Sequence, residues 1–323
     1  MKLLKTIRLS KENTLGFVLL GMFLLMALFV PNFLSAGNIK NMMFQLPEFG
    51  ILSLAMMVVI ITSGIDLSLT YRAALSGVII AMALSAGAAI PVAIMFGLLA
   101  AVLCGLLNGF FIAIVGVSPI LITLGSMILF ESISLGLTKG NSVSGFPPEY
   151  RVIGNGAVGA VPISLLIFLL VAVITAMLLN RTKWGRGVYM AGSNPVATLF
   201  SGINTKRVLL LVYLYGALLT CVAAVIMTSR YNSARVDLGS SYLLQSVAAA
   251  VLGGTNIQGG YGKVIGTVYA VGIFQLISSG LNLLGTPRTF VSVLMGVILI
   301  LVLMMNYYYD KLADKKETAG AAA

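Results

Sequence analysis

Charged residues interrupt this chain rarely, and the apolar runs between them set its plan. One membrane crossing by a helix needs roughly 20 mostly apolar residues. On that unit the first half predicts spans near 14–30, 47–62, 73–85, 92–115, 120–137 and 161–179. The second half adds spans near 208–227, 242–252, 264–279 and 289–305, of which 242–252 is short of a full crossing. Glu48 stands at the outer end of the second span, and breaks at 87–91 and 116–119 divide the charge-free stretch 73–130. The stretch 138–159, rich in Gly, Pro, Asn and Ser, reads as an external loop. Residues 181–207 form the longest polar connection.

Composition supports an all-α integral membrane protein of about ten transmembrane helices. Hydrophobic residues make up 59% of the 323, charged residues only 9%, and the mean hydropathy is +1.05. A soluble domain carries about 25% charged residues, so this chain has too few to cover a water-facing surface. A secretory leader is the other reading of the first run, with Ser35-Ala36-Gly37 as small residues nearby. The length of the run and the spans after it favour a membrane helix.

Charge fixes orientation. The net +11 lies at the ends of apolar segments, the positive-inside pattern and not a nucleic-acid footprint. From a cytoplasmic N-terminus, six spans (14–180) return the chain inside at 181–207, which carries Arg181, Lys183, Arg186, Lys206 and Arg207. Four more (208–306) return it at the tail 307–323, with Lys311, Lys315 and Lys316. With the N-terminal cluster Lys2, Lys5, Arg8 and Lys11, ten crossings put all three basic clusters on one side, with both termini cytoplasmic. The whole chain, 1–323, then forms one transmembrane domain.

Several chemistries are excluded. Without His there is no Ser-His-Asp triad and no His-ligated zinc. Cys104 and Cys221 lie in separate apolar stretches, with no metal or disulfide spacing. The string Gly259-Gly260-Tyr261-Gly262-Lys263 lacks the first glycine of a phosphate-binding loop and continues with Val264. No catalytic residue, metal site or cofactor is expected in this chain.

Two segments match after a shift of 190 positions: Ser63-Gly64-Ile65-Asp66-Leu67-Ser68-Leu69-Thr70-Tyr71 and Gly253-Gly254-Thr255-Asn256-Ile257-Gln258-Gly259-Gly260-Tyr261. Gly64 with Asp66, and Gly254 with Asn256, predict helix breaks in two pseudo-repeats, a common transporter design. A carboxylate such as Asp66 is a functional candidate at membrane depth, but its place at a span boundary favours a helix cap at the cytoplasmic interface. Asn108, Glu131, Gln245, Gln275 and Asn282 are polar residues in apolar stretches. They are candidates for a solute pathway or for helix–helix hydrogen bonds.

The segment 192–202 is punctuated as a short helix. Asn194 suits the N-cap, Pro195 the first helical position and Gly202 the position past the end. Ala197, Leu199 and Phe200 supply small and apolar contacts. A free helix of that length is unstable in water, so it packs on its own bundle or inserts into a cytoplasmic partner.

The chain resembles the permease subunits of ribose-type (carbohydrate uptake) ABC importers, a family that includes autoinducer-2 permeases. The likeness covers nearly the whole length. It is carried by Pro31-Asn32-Phe33-Leu34-Ser35 with Asn38-Ile39-Lys40-Asn41, Ser63-Gly64-Ile65-Asp66-Leu67-Ser68, and Thr123-Leu124-Gly125-Ser126-Met127. Gly185-Arg186, the 192–202 loop with Ile203-Asn204, Val251-Leu252-Gly253-Gly254-Thr255 and Gly280-Leu281-Asn282-Leu283-Leu284-Gly285 continue it. The resemblance implies a sugar or sugar-like solute and an inner-membrane location. It also implies that 192–202 couples to a tandem-cassette ATPase, with ATP and Mg²⁺ bound there and not here. A periplasmic binding protein and a second permease copy, identical or paralogous, complete the implied assembly. Thr70, Glu131-Ser132 and Thr198 depart from the family pattern, and Glu131 alters the polarity of the pathway. The alternative is a secondary transporter driven by an ion gradient, which needs intramembrane carboxylates or His.

Overall fold

A computed structural model describes residues 11–287 and, within 289–304, all but Ser292, Leu299, Val302 and Leu303. The helices are α1 (Lys11–Phe29), α2 (Ala36–Ile61), α3 (Leu69–Ser85), α4 (Ile90–Phe110), α5 (Pro119–Thr138) and α6 (Pro148–Asn155). They continue as α7 (Ile163–Arg181), α8 (Lys183–Ser193), α9 (Pro195–Phe200), α10 (Thr205–Tyr231), α11 (Tyr242–Leu252), α12 (Val264–Leu283) and α13 (Thr289–Ile298). One π-helical turn, Phe111–Val115, extends α4 to Gly116. Among the described residues, six helices (α2, α4, α5, α7, α10 and α12) are long and apolar enough to cross a membrane, and four apolar helices are shorter. The expected tail, 307–323, and the basic residues Lys2, Lys5 and Arg8 lie outside the described residues.

Two helices carry the packing. Residues 47–61 of α2 are all buried, and α10 packs against α2, α3, α4, α6 and α8. Gly105 on α4 lets the α10 backbone approach closely: a methyl there would lie 2.9 Å from the Tyr213 carbonyl oxygen. Small residues at such contacts are how helices pack tightly where lipid gives no hydrophobic drive. By contrast α4, α5 and α7 are mostly exposed along their apolar surfaces.

The second span begins earlier than the pattern predicts. Ser35 caps the Asn38 N–H at 3.3 Å, so α2 starts at Ala36 and Pro47 lies inside it. Glu48 is therefore a fully buried residue within α2 instead of a marker of its outer end. The third span gains its first turn, Leu69 to Arg72, because Arg72 is neutralised inside the bundle. The connection 181–207 is mostly helical, as α8 and α9.

The stretch 138–159 also holds more structure than a loop. It contains α6 and two short antiparallel ladders, Val143–Ser144 with Ser233–Ala234 and Ala157–Val158 with Val161–Pro162. The buried Tyr150 pairs its hydroxyl with Thr228 at 2.7 Å, while Ser229 accepts from the Gly154 N–H at 2.6 Å. These bonds fix α6 on the end of α10 away from α8.

Asp66 corrects the expectation of a cap at the aqueous interface. It is completely buried and lies 3.0 Å from Arg72, also completely buried. That contact is one of opposite charges and not an aligned hydrogen bond. Asp66 Oδ1 also accepts from the Ser68 N–H at 3.0 Å and hydroxyl at 2.6 Å, so it does cap the entry to α3. Arg72 donates to Thr220 at 3.1 Å, and Asn108 to Ser68 at 2.8 Å. Thr220 lies about 22 Å along an α10 of about 40 Å, which puts the pair near mid-depth of that helix. A charge so far from water persists only because its counter-charge is beside it.

Arg72→Ala should strand that carboxylate and cost about 3–5 kcal/mol. A lower melting temperature of the detergent-solubilised protein checks this, with the pair Asp66→Asn and Arg72→Gln recovering much of the loss. An unchanged melting temperature in Arg72→Ala would show that the pair does not support the fold.

Candidate coupling junction and outer cleft

The two breaks lie side by side. At the end of α2, Ser63 takes a left-handed φ of 61°, and the Gly64 N–H closes back on Val59 at 3.2 Å. At the end of α11, Gly254 takes φ 89° and Thr255 closes back on Ala250 at 3.0 Å. Each break then makes the same side-chain turn, Asp66 accepting from Ser68 at 3.0 Å and Asn256 from Gln258 at 2.9 Å. The turn residues keep the offset of 190, whereas the left-handed residues, Ser63 and Gly254, are offset by one more. The second loop is also longer, since α12 starts at Val264 and α3 at Leu69.

These loops hold each other and the end of α8. The Ser63 hydroxyl lies 2.6 Å from the Gln258 carbonyl oxygen and 3.1 Å from that of Gly192. Having one proton, it donates to one at a time. The Gly260 N–H donates to Ile61 at 2.8 Å, and the Tyr189 hydroxyl to Gly262 at 2.8 Å. Burial raises the Tyr189 phenol above its ordinary range, so it stays protonated as a donor. A methyl on Gly192 would collide with the Ile61 carbonyl oxygen, so only glycine allows this approach.

From this junction α9 projects. Asn194 accepts from the Ala197 N–H at 2.9 Å, Pro195 opens the helix, and Gly202 at φ 80° follows its end. Thr198 is 1% exposed and donates to Asn194 at 2.7 Å, so the side chain that departs from the family pattern faces the bundle. Leu199 is 60% exposed and Phe200 87%, with Val196 and Ala197 also outward. The helix therefore turns its anchors away from its own bundle.

At the other end of α10 a cleft of 640 Å³ opens between α2, α10, α11, α12 and α13. Gln45, Gln245 and Gln275 line it beside Phe49, Tyr231 and Tyr242, and Gln275 donates to Gln45 at 3.1 Å. Its two charged lining residues, Arg235 and Asp237, pair at 3.0 Å. Of the five polar candidates, Gln245 and Gln275 meet here. Asn108 belongs to the Asp66 cluster, Glu131 is half-buried on α5, and Asn282 is exposed near the end of α12. Sequence reading missed Gln45, Tyr231 and Tyr242, which sit at span ends where polar residues are commonplace. The Arg72 partner of Asp66 was findable, as a cation six positions along in an apolar context.

The family model for branched-chain amino acid transport system / permease components matches residues 38–303. The chain belongs to this family. It is therefore a transport-system permease and not an enzyme. Among named relatives, the ribose import permease protein RbsC of Bacillus subtilis is 35% identical over 292 residues, 89% of this chain and 91% of its own. The autoinducer 2 import system permease protein LsrD of Yersinia enterocolitica is 35% identical over 276 residues, 83% of each chain. LsrD of Escherichia coli K12 is also 35% identical, over 83% of this chain and 84% of its own. No solved structure matches. Asp66 and Glu48 are each paired with an arginine, whereas Glu131, the carboxylate on which the ion-driven alternative rests, stands half-buried on α5.

Ser63 offers a graded test of the junction. Ser63→Ala loses the bonds to Gln258 and Gly192 and keeps left-handed strain, a cost of about 1–3 kcal/mol. Ser63→Gly loses the same bonds but relieves about 1 kcal/mol of strain. Melting temperatures should fall in the order wild type, Ser63→Gly, Ser63→Ala; the reverse order of the variants would show that strain at this site is negligible.

Proposed function

We propose that the chain is the membrane-spanning permease of an ATP-driven importer for an uncharged, hydroxyl-rich solute of the sugar type. The observation that carries the reading is α9, a fully capped helix with exposed apolar anchors, rooted where both breaks meet. A six-residue helix gains little stability alone, so exposed Val196, Leu199 and Phe200 call for a partner surface. That partner is a tandem-cassette ATPase, which holds ATP and Mg²⁺. The relatives named for ribose and autoinducer 2 import support the solute class, as do the amides and paired charges of the cleft.

The permease lies in a bacterial inner membrane, with 14–180 and 208–306 crossing six and four times and 181–207 and 307–323 cytoplasmic. A second permease copy completes the pathway, and a periplasmic binding protein delivers the solute to the cleft. Movement of α9 reaches α2 and the 253–263 loop through Ser63, Gly192 and Gln258. From there it passes to α11 and α12, which wall the cleft, as a shift between two states. The permease itself makes and breaks no covalent bond.

Two measurements test this. Ala197→Asp puts a carboxylate into the ATPase contact, where an unpaired buried charge costs several kcal/mol. It should abolish ATPase co-purification and uptake while leaving membrane insertion intact, whereas Lys183→Ala should do little; normal ATPase binding by Ala197→Asp removes α9 from the coupling role. A periplasm-active reporter should be active when fused after Gly159 and silent after Tyr308. Activity at Tyr308 would sink the ten-crossing topology.

A further inference from the structure

Behind the cleft wall stands a carboxylate that neither the junction nor α9 uses. Glu48 has no exposed surface. Its Oε1 accepts from Arg230 at 2.9 Å, and its Oε2 from the hydroxyls of Tyr231 at 3.0 Å and Tyr242 at 3.3 Å. One side chain thus ties α2 to the end of α10 and the start of α11. Tyr231 and Tyr242 line the cleft, while Glu48 and Arg230 do not.

An ionised carboxylate only accepts hydrogen bonds, so both phenol protons are committed to Glu48. What the tyrosines offer a solute is ring carbon and an acceptor lone pair, with no free donor. Phe49 extends the aromatic surface, stacked on Tyr242 at 5.7 Å and edge-on to Phe274 at 6.0 Å. The Arg230 guanidinium sits 5.3 Å above the Tyr231 ring, balancing the carboxylate while packing on that tyrosine. Arg230 is paired to Glu48 and the cleft-lining Arg235 to Asp237, so both of these arginines already have a counter-charge.

We propose that Glu48 is the positioning residue of the outer cleft. By holding the two hydroxyls it presents the Tyr231 and Tyr242 rings, with Phe49, as an aromatic wall beside the amides of Gln45, Gln245 and Gln275. Such a wall suits the C–H face of an uncharged ring-shaped polyol, whose hydroxyls the amides bond. This deepens, and rests on, the reading of the cleft as the solute's entry.

The test uses the complete importer in membrane vesicles. An impermeant maleimide reports the reactivity of a thiol introduced by Gln245→Cys, with Val152→Cys on exposed α6 as a control; the native Cys104 and Cys221 are buried. Glu48→Gln, and separately Tyr231→Phe with Tyr242→Phe, should each raise labelling at position 245 about fivefold, the equivalent of one hydrogen bond. Labelling at position 152 should not change. Adding Glu48→Gln to the double phenylalanine variant should bring no further rise, because both act through the same contacts. Glu48→Asp, which keeps the charge, should restore part of the wild-type rate. Unchanged labelling at 245, or an equal rise at 152, overturns the proposal. If Glu48→Gln does not insert, the double phenylalanine variant decides it, since the Glu48–Arg230 pair is then intact. Ribose uptake is the second arm: labelling that rises while uptake stays normal keeps Glu48 as a positioning residue and refutes the cleft as the solute's route.

Discussion

A chain that leaves the helix inside a membrane bundle must find partners for the backbone groups it frees, because no lipid can supply them. Here the two breaks supply each other. The Ile61 carbonyl takes the Gly260 N–H, and the Ser63 hydroxyl reaches the Gln258 carbonyl across 195 positions of sequence. Neither break is satisfied without the other, and the end of α8 joins them through Gly192. The meeting of distant segments at one point is what allows α9 to sit on a fixed root while its apolar side chains stay outside.

The same logic governs charge. Asp66 and Glu48 are both fully buried, and each has an arginine within 3.0 Å. Burying a pair gains little over an apolar substitute, yet breaking one is costly, so such pairs specify which helices meet more than they add stability. Asp66–Arg72 fixes the entry of α3 against α10 through Thr220, and Glu48–Arg230 fixes α2 against the far end of α10. The junction adds a third tie, from the end of α2 to α8 and the 253–263 loop.

Much of this was legible in the sequence, for a simple reason. Apolar run length reflects bilayer thickness, and Asn194, Pro195 and Gly202 act on the backbone within a few residues of themselves. The Asp66 and Asn256 turns were likewise local. What could not be read was any feature set by a distant partner. Pro47 read as a start because a missing N–H usually ends a helix, whereas the Ser35 cap upstream had already begun it. Glu48 read as a boundary because nothing near it in sequence could pair with it; its donors lie more than 180 positions away. The polar stretch 138–159 read as a loop because its burial depends on Thr228 and Ser229.

The distribution of rigid and yielding parts follows from these ties. Along α10, close glycine contacts with α4 and the bonds of α6 leave little room for sliding, so this helix behaves as a fixed post. The loop 253–263 is different: it is held by single hydrogen bonds from Ser63, Gly260 and Tyr189, each worth only about 1 kcal/mol net. One of them, the Ser63 proton, has two carbonyls within reach, those of Gln258 and Gly192, and serves one at a time. Exchange of that proton between the two carbonyls costs no more than one neutral hydrogen bond, so this tie yields more easily than the buried ion pairs. The loop beside the root of α9 is therefore tied less firmly than α10, and α11 and α12, the helices it joins, are among those that wall the cleft.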